Sequence, residues 1–176
     1  MPVVFGEPVS SVDDSLRIFK RHGDAVRGTY RARYTISKES QDLYRSAVLE
    51  RPASLIDSPP DVVYPWEQIF VAAANCAGSD YPMLAAHAGV PLDRVEFVVE
   101  GVFDPRGEFD GLSEFHAPQD AAPCYLSLHL RATLVSSAPR NVLETIHHRV
   151  VTRNMVLGAL RGIPRTSELI VKRPGE

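Results

Sequence analysis

An α+β fold in one domain is what the sequence predicts, from three observations. The segment CYLSLHLRATLVS (124–136) alternates apolar and polar residues, the period of a strand with one face buried. PWEQIFVAAANCAGSDYPMLAAH (65–87) is instead a long run of apolar and small residues, opened by a proline that suits the first position of a helix. The segments follow one another as strands, helix, strands, helix and a final strand, joined by hairpin turns rather than by regular strand–helix–strand alternation. Antiparallel pairing is therefore expected.

Residues 1–24 carry little pattern and read as an N-terminal extension, in which the polar SSVDDS caps a short turn before LRIFKRHG. Residues 25–64 read as a hairpin and a connector. In RGTYRARYTI, Tyr30, Ala32, Tyr34 and Ile36 share one face while Arg31 and Arg33 occupy the other, as in a half-solvated strand. SKESQD is a polar turn and LYRSAVL the returning strand. ERPASLIDSPPDVVY holds three prolines, which argue against a central strand and for an irregular connector.

Residues 65–176 hold the core helices and strands. In the first helix Ile69, Ala73, Cys76, Asp80, Leu84 and His87 recur at three- and four-residue steps and are expected to share a face. Pro82 removes a helical hydrogen bond one turn back and predicts a kink just past Cys76. Gly89 and Pro91 predict the stop. LDRVEFVVEGVFD alternates as a strand, with Val95, Phe97, Val99 and Phe103 on one face, before the turn-forming DPRGEFDG and a surface loop. In 124–136 the expected apolar face is Cys124, Leu126, Leu128, Leu130, Ala132 and Leu134. A second helix over about 140–161 carries the stripe Val142, Leu143, Ile146, Val150, Leu157 and Leu160, and Gly162 with Pro164 stops it. TSELIVKR reads as a short last strand.

Composition narrows the function. At 176 residues, 44% hydrophobic and 23% charged, the chain suits one globular domain. A formal net charge of -3 and a pI near 6.1 exert no pull toward nucleic acid or anionic lipid, so neither is expected as a partner. MPVVFGEPVSSVDDS has neither a basic start nor an apolar run, and no segment reaches the roughly 18 apolar residues of a membrane span. The expected compartment is the cytoplasm. The glycines form no phosphate-binding loop and the six histidines no metal-ligand spacing, so no cofactor and no metal is expected.

Two cysteines are too few for a disulfide framework. Cys76 is open to two readings, a small buried hydrophobe or a reactive thiol served by nearby positive charge. The helix dipole fades within the first turn, and Asp80, one turn on, opposes ionisation. Activation therefore calls on a cation from elsewhere, with Arg27, Arg31, Arg33, Arg45 and Arg51 on offer. Asn154 continues the four-residue stripe of Ile146 and Val150 and is placed to face the same core as Cys76, where a buried amide needs partners. Cys124 opens an apolar strand face and is expected to pack in the core. A cysteine–histidine pair through His129 or His147 has no local signature behind it.

These residues carry a family resemblance. PWEQIFVAAANC resembles the motif that opens the central helix of the OsmC/Ohr family, where a proline, a glutamate-containing pair and small residues precede a cysteine. VPLDRVEFVVEGVFDPRG is similar to the family's next strand and its DPRG-like turn, and NMVLGAL (154–160) resembles its second-helix pattern. The resemblance implies two central helices packed on antiparallel sheets in an intertwined homodimer. It also implies thiol peroxidase chemistry on organic hydroperoxides, in which one cysteine attacks and a second resolves the sulfenic acid.

Carried onto this chain, Cys76 matches the attacking thiol, and the resolving position falls on Asn154, which has no sulfur. Arg51 is the nearest candidate for the thiolate-stabilising arginine. Glu67 is the nearest orienting acid, one residue and about 100° round the helix from the family's position, where Trp66 stands. Two functions follow from the resemblance. One is reduction of hydroperoxides through a single reactive cysteine, resolved by an external thiol; the other is a redox-inert dimer that binds a small apolar ligand near Cys76.

Overall fold

The computed structural model describes residues 3–39, 47–51, 56–57 and 63–176. In chain order the elements are β1 (Val3–Val4), β2 (Glu7–Pro8), α1 (Val12–His22), β3 (Gly28–Ser37), β4 (Val48–Glu50), β5 (Ile56–Asp57), α2 (Pro65–His87), β6 (Arg94–Phe103), β7 (Tyr125–Val135), α3 (Arg140–Arg153), α4 (Met155–Ala159) and β8 (Arg165–Lys172). The expected α+β class holds. Part of the SKESQD turn, the start of LYRSAVL and most of the proline-rich connector lie outside the described residues, while Val48–Glu50 returns antiparallel to β3 as the hairpin requires.

A five-stranded sheet in the order β4-β3-β6-β7-β8 forms the floor of the fold. Strand β3 runs antiparallel to β6 from Gly28↔Phe103 to Ser37↔Arg94, and β6 runs antiparallel to β7. The alternation read from sequence decides which way each side chain points. Tyr30, Ala32, Tyr34 and Ile36 are buried with Val95, Phe97, Val99, Leu130, Ala132 and Leu134. On the other face Arg31 pairs with Glu100 and Glu50, and Arg33 with Glu50 and Glu96, so the arginine face is neutralised by carboxylates of neighbouring strands.

One pairing departs from the antiparallel expectation. Strand β8 lies parallel to β7, from Leu128↔Arg165 to Val135↔Lys172. The intervening α3 and α4 carry the chain back to the end where β7 began, and a helical crossover of that kind delivers a parallel strand.

Helix α2 lies across the buried face and runs unbroken through Pro82 to its stop at Gly89, whose φ is +64°. Its sheet-facing stripe is Phe70, Ala74, Ala77, Gly78, Tyr81 and Ala85. The stripe expected from Ile69 to His87 is not this one, because Ile69 and His87 are exposed. Alanines stand on every side of this helix, so apolar periodicity alone leaves its orientation open by about one residue, or 100°. The large residues decide it: Phe70 reaches over Gly101 and Tyr81 packs near Phe97. A Cβ on Gly78 would collide with the Tyr34 ring, so backbone and ring meet directly there.

Three other expectations need correction. Residues 12–22 form a full amphipathic helix, with Ser11 accepting from the Asp14 N–H, acids in the first turn and basic residues in the last. Its Leu16, Ile18 and Phe19 gather with Val26 and Phe115 into a second core cluster. Cys124 is exposed, not packed in the core. A bulge pairs Tyr125 with Phe103 and Ser127 with Val102, which makes Leu126 an extra residue and turns Tyr125 inward in place of Cys124. The expected helix over 140–161 is two helices, because Asn154 leaves helical geometry at φ -63° and ψ 136°.

Between α2 and α3 the hydroxyl of Tyr81 lies 2.7 Å from Nδ1 of His147. Burial, with His148 beside it, holds His147 below the usual imidazole range and so favours the neutral ring. The unfolded chain takes up that proton below about pH 6.5 while the folded one resists it, so stability present above that pH is lost as pH falls toward the folded value. The denaturant midpoint of the wild type is expected to fall between about pH 7 and pH 5.5, and His147→Gln to flatten that slope. Gly78→Ala tests the helix–sheet contact. In an open helix the change is favourable, but here overpacking against Tyr34 is expected to cost about 1–3 kcal/mol, seen as a lower Tm.

Candidate functional site

Cys76 sits midway along α2 and is half-buried, and Asp80 lies one turn on along the same side of the helix. Facing them is Asn154, 5% exposed, at the break between α3 and α4. Its Oδ1 accepts from the N–H groups of Val156 and Leu157, both at 3.1 Å, and so caps α4. That cap decides which way the amide faces. With the oxygen turned to two backbone donors, the NH2 end must point at α2, where Nδ2 donates to Cys76 Sγ at 3.1 Å and to Asp80 Oδ2 at 2.8 Å. All of the amide's hydrogen-bonding capacity is used. The two acceptors share one nitrogen, so sulfur and carboxylate stand no more than about 6 Å apart, within the range where charges influence one another.

The structure thus brings Asn154 to Cys76, as the four-residue stripe of the second helix suggested, and adds Asp80 as the third member. Neither the α3–α4 break nor the amide's double contact was legible in the apolar pattern. The sequence signal for the break is the Asn itself, a preferred N-cap residue followed by the apolar run MVLGAL. Both cysteines are free thiols. Among the described residues no three His, Cys, Asp or Glu side chains gather as metal ligands, and no helix is long and apolar enough to cross a membrane.

Arg51 and Glu67 meet at the other end of α2. Glu67 is fully buried and takes Nε of Arg51 at 2.6 Å and Nη2 at 2.7 Å, a two-point ion pair. The same carboxylate accepts from the Tyr64 N–H at 2.8 Å, closing the helix N-terminus. The Arg51 guanidinium lies 5.7 Å from the centre of the Tyr64 ring. Glu67 precedes Cys76 by nine residues, about 13 Å along the helix axis, so within one chain this pair and the thiol are separate groups. Trp66 stacks on Tyr64 and on Phe103, while the hydroxyl of Tyr125 donates to its carbonyl.

No protein-family model matches the chain, and no curated protein matches it in sequence. Solved structures do match. A hypothetical protein from Aquifex aeolicus VF5 is 13% identical, with 80% of this chain and 96% of that one covered and a TM-score of 0.50. An OsmC-like protein from Mycoplasma pneumoniae is 13% identical, covering 80% and 94%, with a TM-score of 0.49. An OsmC-like protein of unknown function from Vibrio cholerae is 15% identical, covering 80% and 98%, with a TM-score of 0.47. At such identities the likeness is one of fold. The cysteine helix lies on the sheet, the strand and DPRG turn follow it, and the Asn154 segment opens against the cysteine. The chain shares the fold of the Aquifex structure, and two of the structures it matches are described as OsmC-like.

The Asn154 clamp can be tested on stability. Asn154→Ala removes the α4 cap and leaves Asp80 without its donor, and is expected to cost about 1–2 kcal/mol in chemical denaturation. Asn154→Asp keeps a capping oxygen but sets a second carboxylate against Asp80. That like-charge pair is expected to lower stability at neutral pH, seen as a lower denaturant midpoint.

Proposed function

We propose that this OsmC-like chain acts through Cys76 as a one-cysteine thiol that reduces organic hydroperoxides and is recycled by an external thiol. The hydrogen bond from Asn154 to Sγ carries the reading. A thiolate gains from a donor aimed at it, and this donor is held in place because its oxygen is committed to α4. Sulfur attacks the hydroperoxide oxygen distal to carbon, the O–O bond breaks, and the alkoxide leaves to take up a proton as the alcohol, while Cys76 becomes the sulfenic acid. Asn154 has no thiol to offer, so resolution falls to an external thiol, which forms a mixed disulfide with release of water. A second molecule of that thiol then frees Cys76 and departs as its own disulfide. The reading takes the chain as a homodimer, in keeping with the open apolar side chains of Val48, Met83 and Met155.

Asp80 favours a second reading. A carboxylate on the other hydrogen of the same amide sets negative charge beside the sulfur, which suits a quiet thiol in a protein that binds a small apolar ligand. One experiment separates the two, with the exposed Cys124 as an internal reference. On treatment with tert-butyl hydroperoxide and a sulfenic-acid trap, mass spectrometry is expected to find Cys76 labelled well ahead of Cys124. An unlabelled Cys76 beside an oxidised Cys124 sinks the peroxidase reading and leaves the binding one.

A further inference from the structure

A cavity of about 550 Å³ opens between the N-terminal helix and the start of α2, well within the size of sites that take small ligands. Ile18, Phe19 and Val26 of the second core cluster form one wall, and Tyr30, Trp66 and Phe103 of the main core form the other. Trp66 precedes Cys76 by ten residues, about 15 Å along α2, so this is a different place from the thiol. Two polar groups on the wall stand out. The indole Nε1 of Trp66 is buried without an acceptor among the described residues, and Tyr30, 4% exposed, brings a hydroxyl-bearing ring to the same wall. Buried polar groups are nearly always satisfied, so a wall that holds an unpartnered indole N–H is incomplete as it stands.

Burial, with the Glu67 carboxylate nearby, pushes Tyr30 up to about 12, so at neutral pH its hydroxyl keeps its proton and can donate. Glu108 stands exposed on the rim, where it repels a carboxylate or phosphate head. Arg51, the cation of this end, is already bound at two points to Glu67. The apolar walls, the aromatic rings and the acidic rim exclude an anion and favour a neutral guest.

We infer that this cavity binds an uncharged, mostly apolar small molecule bearing a carbonyl-type acceptor, which takes a hydrogen bond from Tyr30. The aromatic walls hold its body by area and stacking, and the hydroxyl fixes its orientation. The inference is independent of what Cys76 does. Prodan, a neutral naphthyl ketone whose emission shifts to the blue in apolar surroundings, is a suitable probe of the full chain. It is expected to bind with a blue shift at micromolar concentrations. Tyr30→Phe should weaken binding about three- to tenfold, the usual worth of one such hydrogen bond, and reduce the carbonyl's spectroscopic signature of hydrogen bonding. Ser15→Trp, which places an indole on the wall contributed by α1, should abolish binding while circular dichroism shows the fold kept. Cys76→Ser should bind as the wild type does, whatever the outcome of the peroxide experiment. Absence of binding to the wild type below about 100 µM overturns the inference, as does binding that neither Tyr30→Phe nor Ser15→Trp alters.

Discussion

The contact between Gly78 of α2 and the ring of Tyr34 is the constraint on which the rest of the molecule turns. With no side chain between them, the helix axis comes down onto β3, and Phe70 finds the matching gap over Gly101 on β6. These contacts fix the rotation of α2 about its own axis. Once Phe70, Gly78 and Tyr81 point at the sheet, Cys76 and Asp80 have to point sideways, toward the break between α3 and α4. The chemistry of the thiol is therefore set by packing that does not touch it. At the near end of the same helix, Glu67 is carried into the core, where Arg51 and the Tyr64 N–H meet its side chain.

Much of this fold was legible in the residues. Strict alternation in RGTYRARYTI and in the later half of 124–136 was enough to place every buried side chain of β3 and most of those of β7, because a period of two leaves only two faces to choose between. The two ends of the long helix were marked by a proline at the start and a glycine just past the stop. Its rotation was harder to read, since alanine, glycine and cysteine differ too little in size to mark a face. The bulge near Leu126 was invisible because it is set by how β6 and β7 pair, and a single strand does not record its partner's register. The N-terminal helix was missed for a related reason. It is short and strongly charged, and its apolar side belongs to a small cluster of its own rather than to the main core.

For the candidate site, the resemblance to the OsmC/Ohr pattern led to Cys76 and Asn154, and their contact is a matter of geometry. Arg51 and Glu67 also find each other, but as a buried ion pair at the head of α2. The Asn154 side chain serves the backbone of α4 as well as the sulfur. The aromatic group of Tyr64, Trp66, Phe103 and Tyr125 has no forerunner in the apolar pattern, since its members come from separate elements that meet only in the folded chain.

The parallel pairing of β8 has a bearing on how the chain is made. Strand β7 leaves the ribosome with one side already able to join β6, but its other side must wait through the whole of α3 and α4 before its partner exists. During that interval the row of backbone groups from Leu128 to Val135 is open, in a strand rich in leucine. Arg131 and His129 lie within that strand and point to its solvated face. Charged and ionisable side chains within an apolar strand are the kind that disfavour its pairing with a strand of another nascent chain.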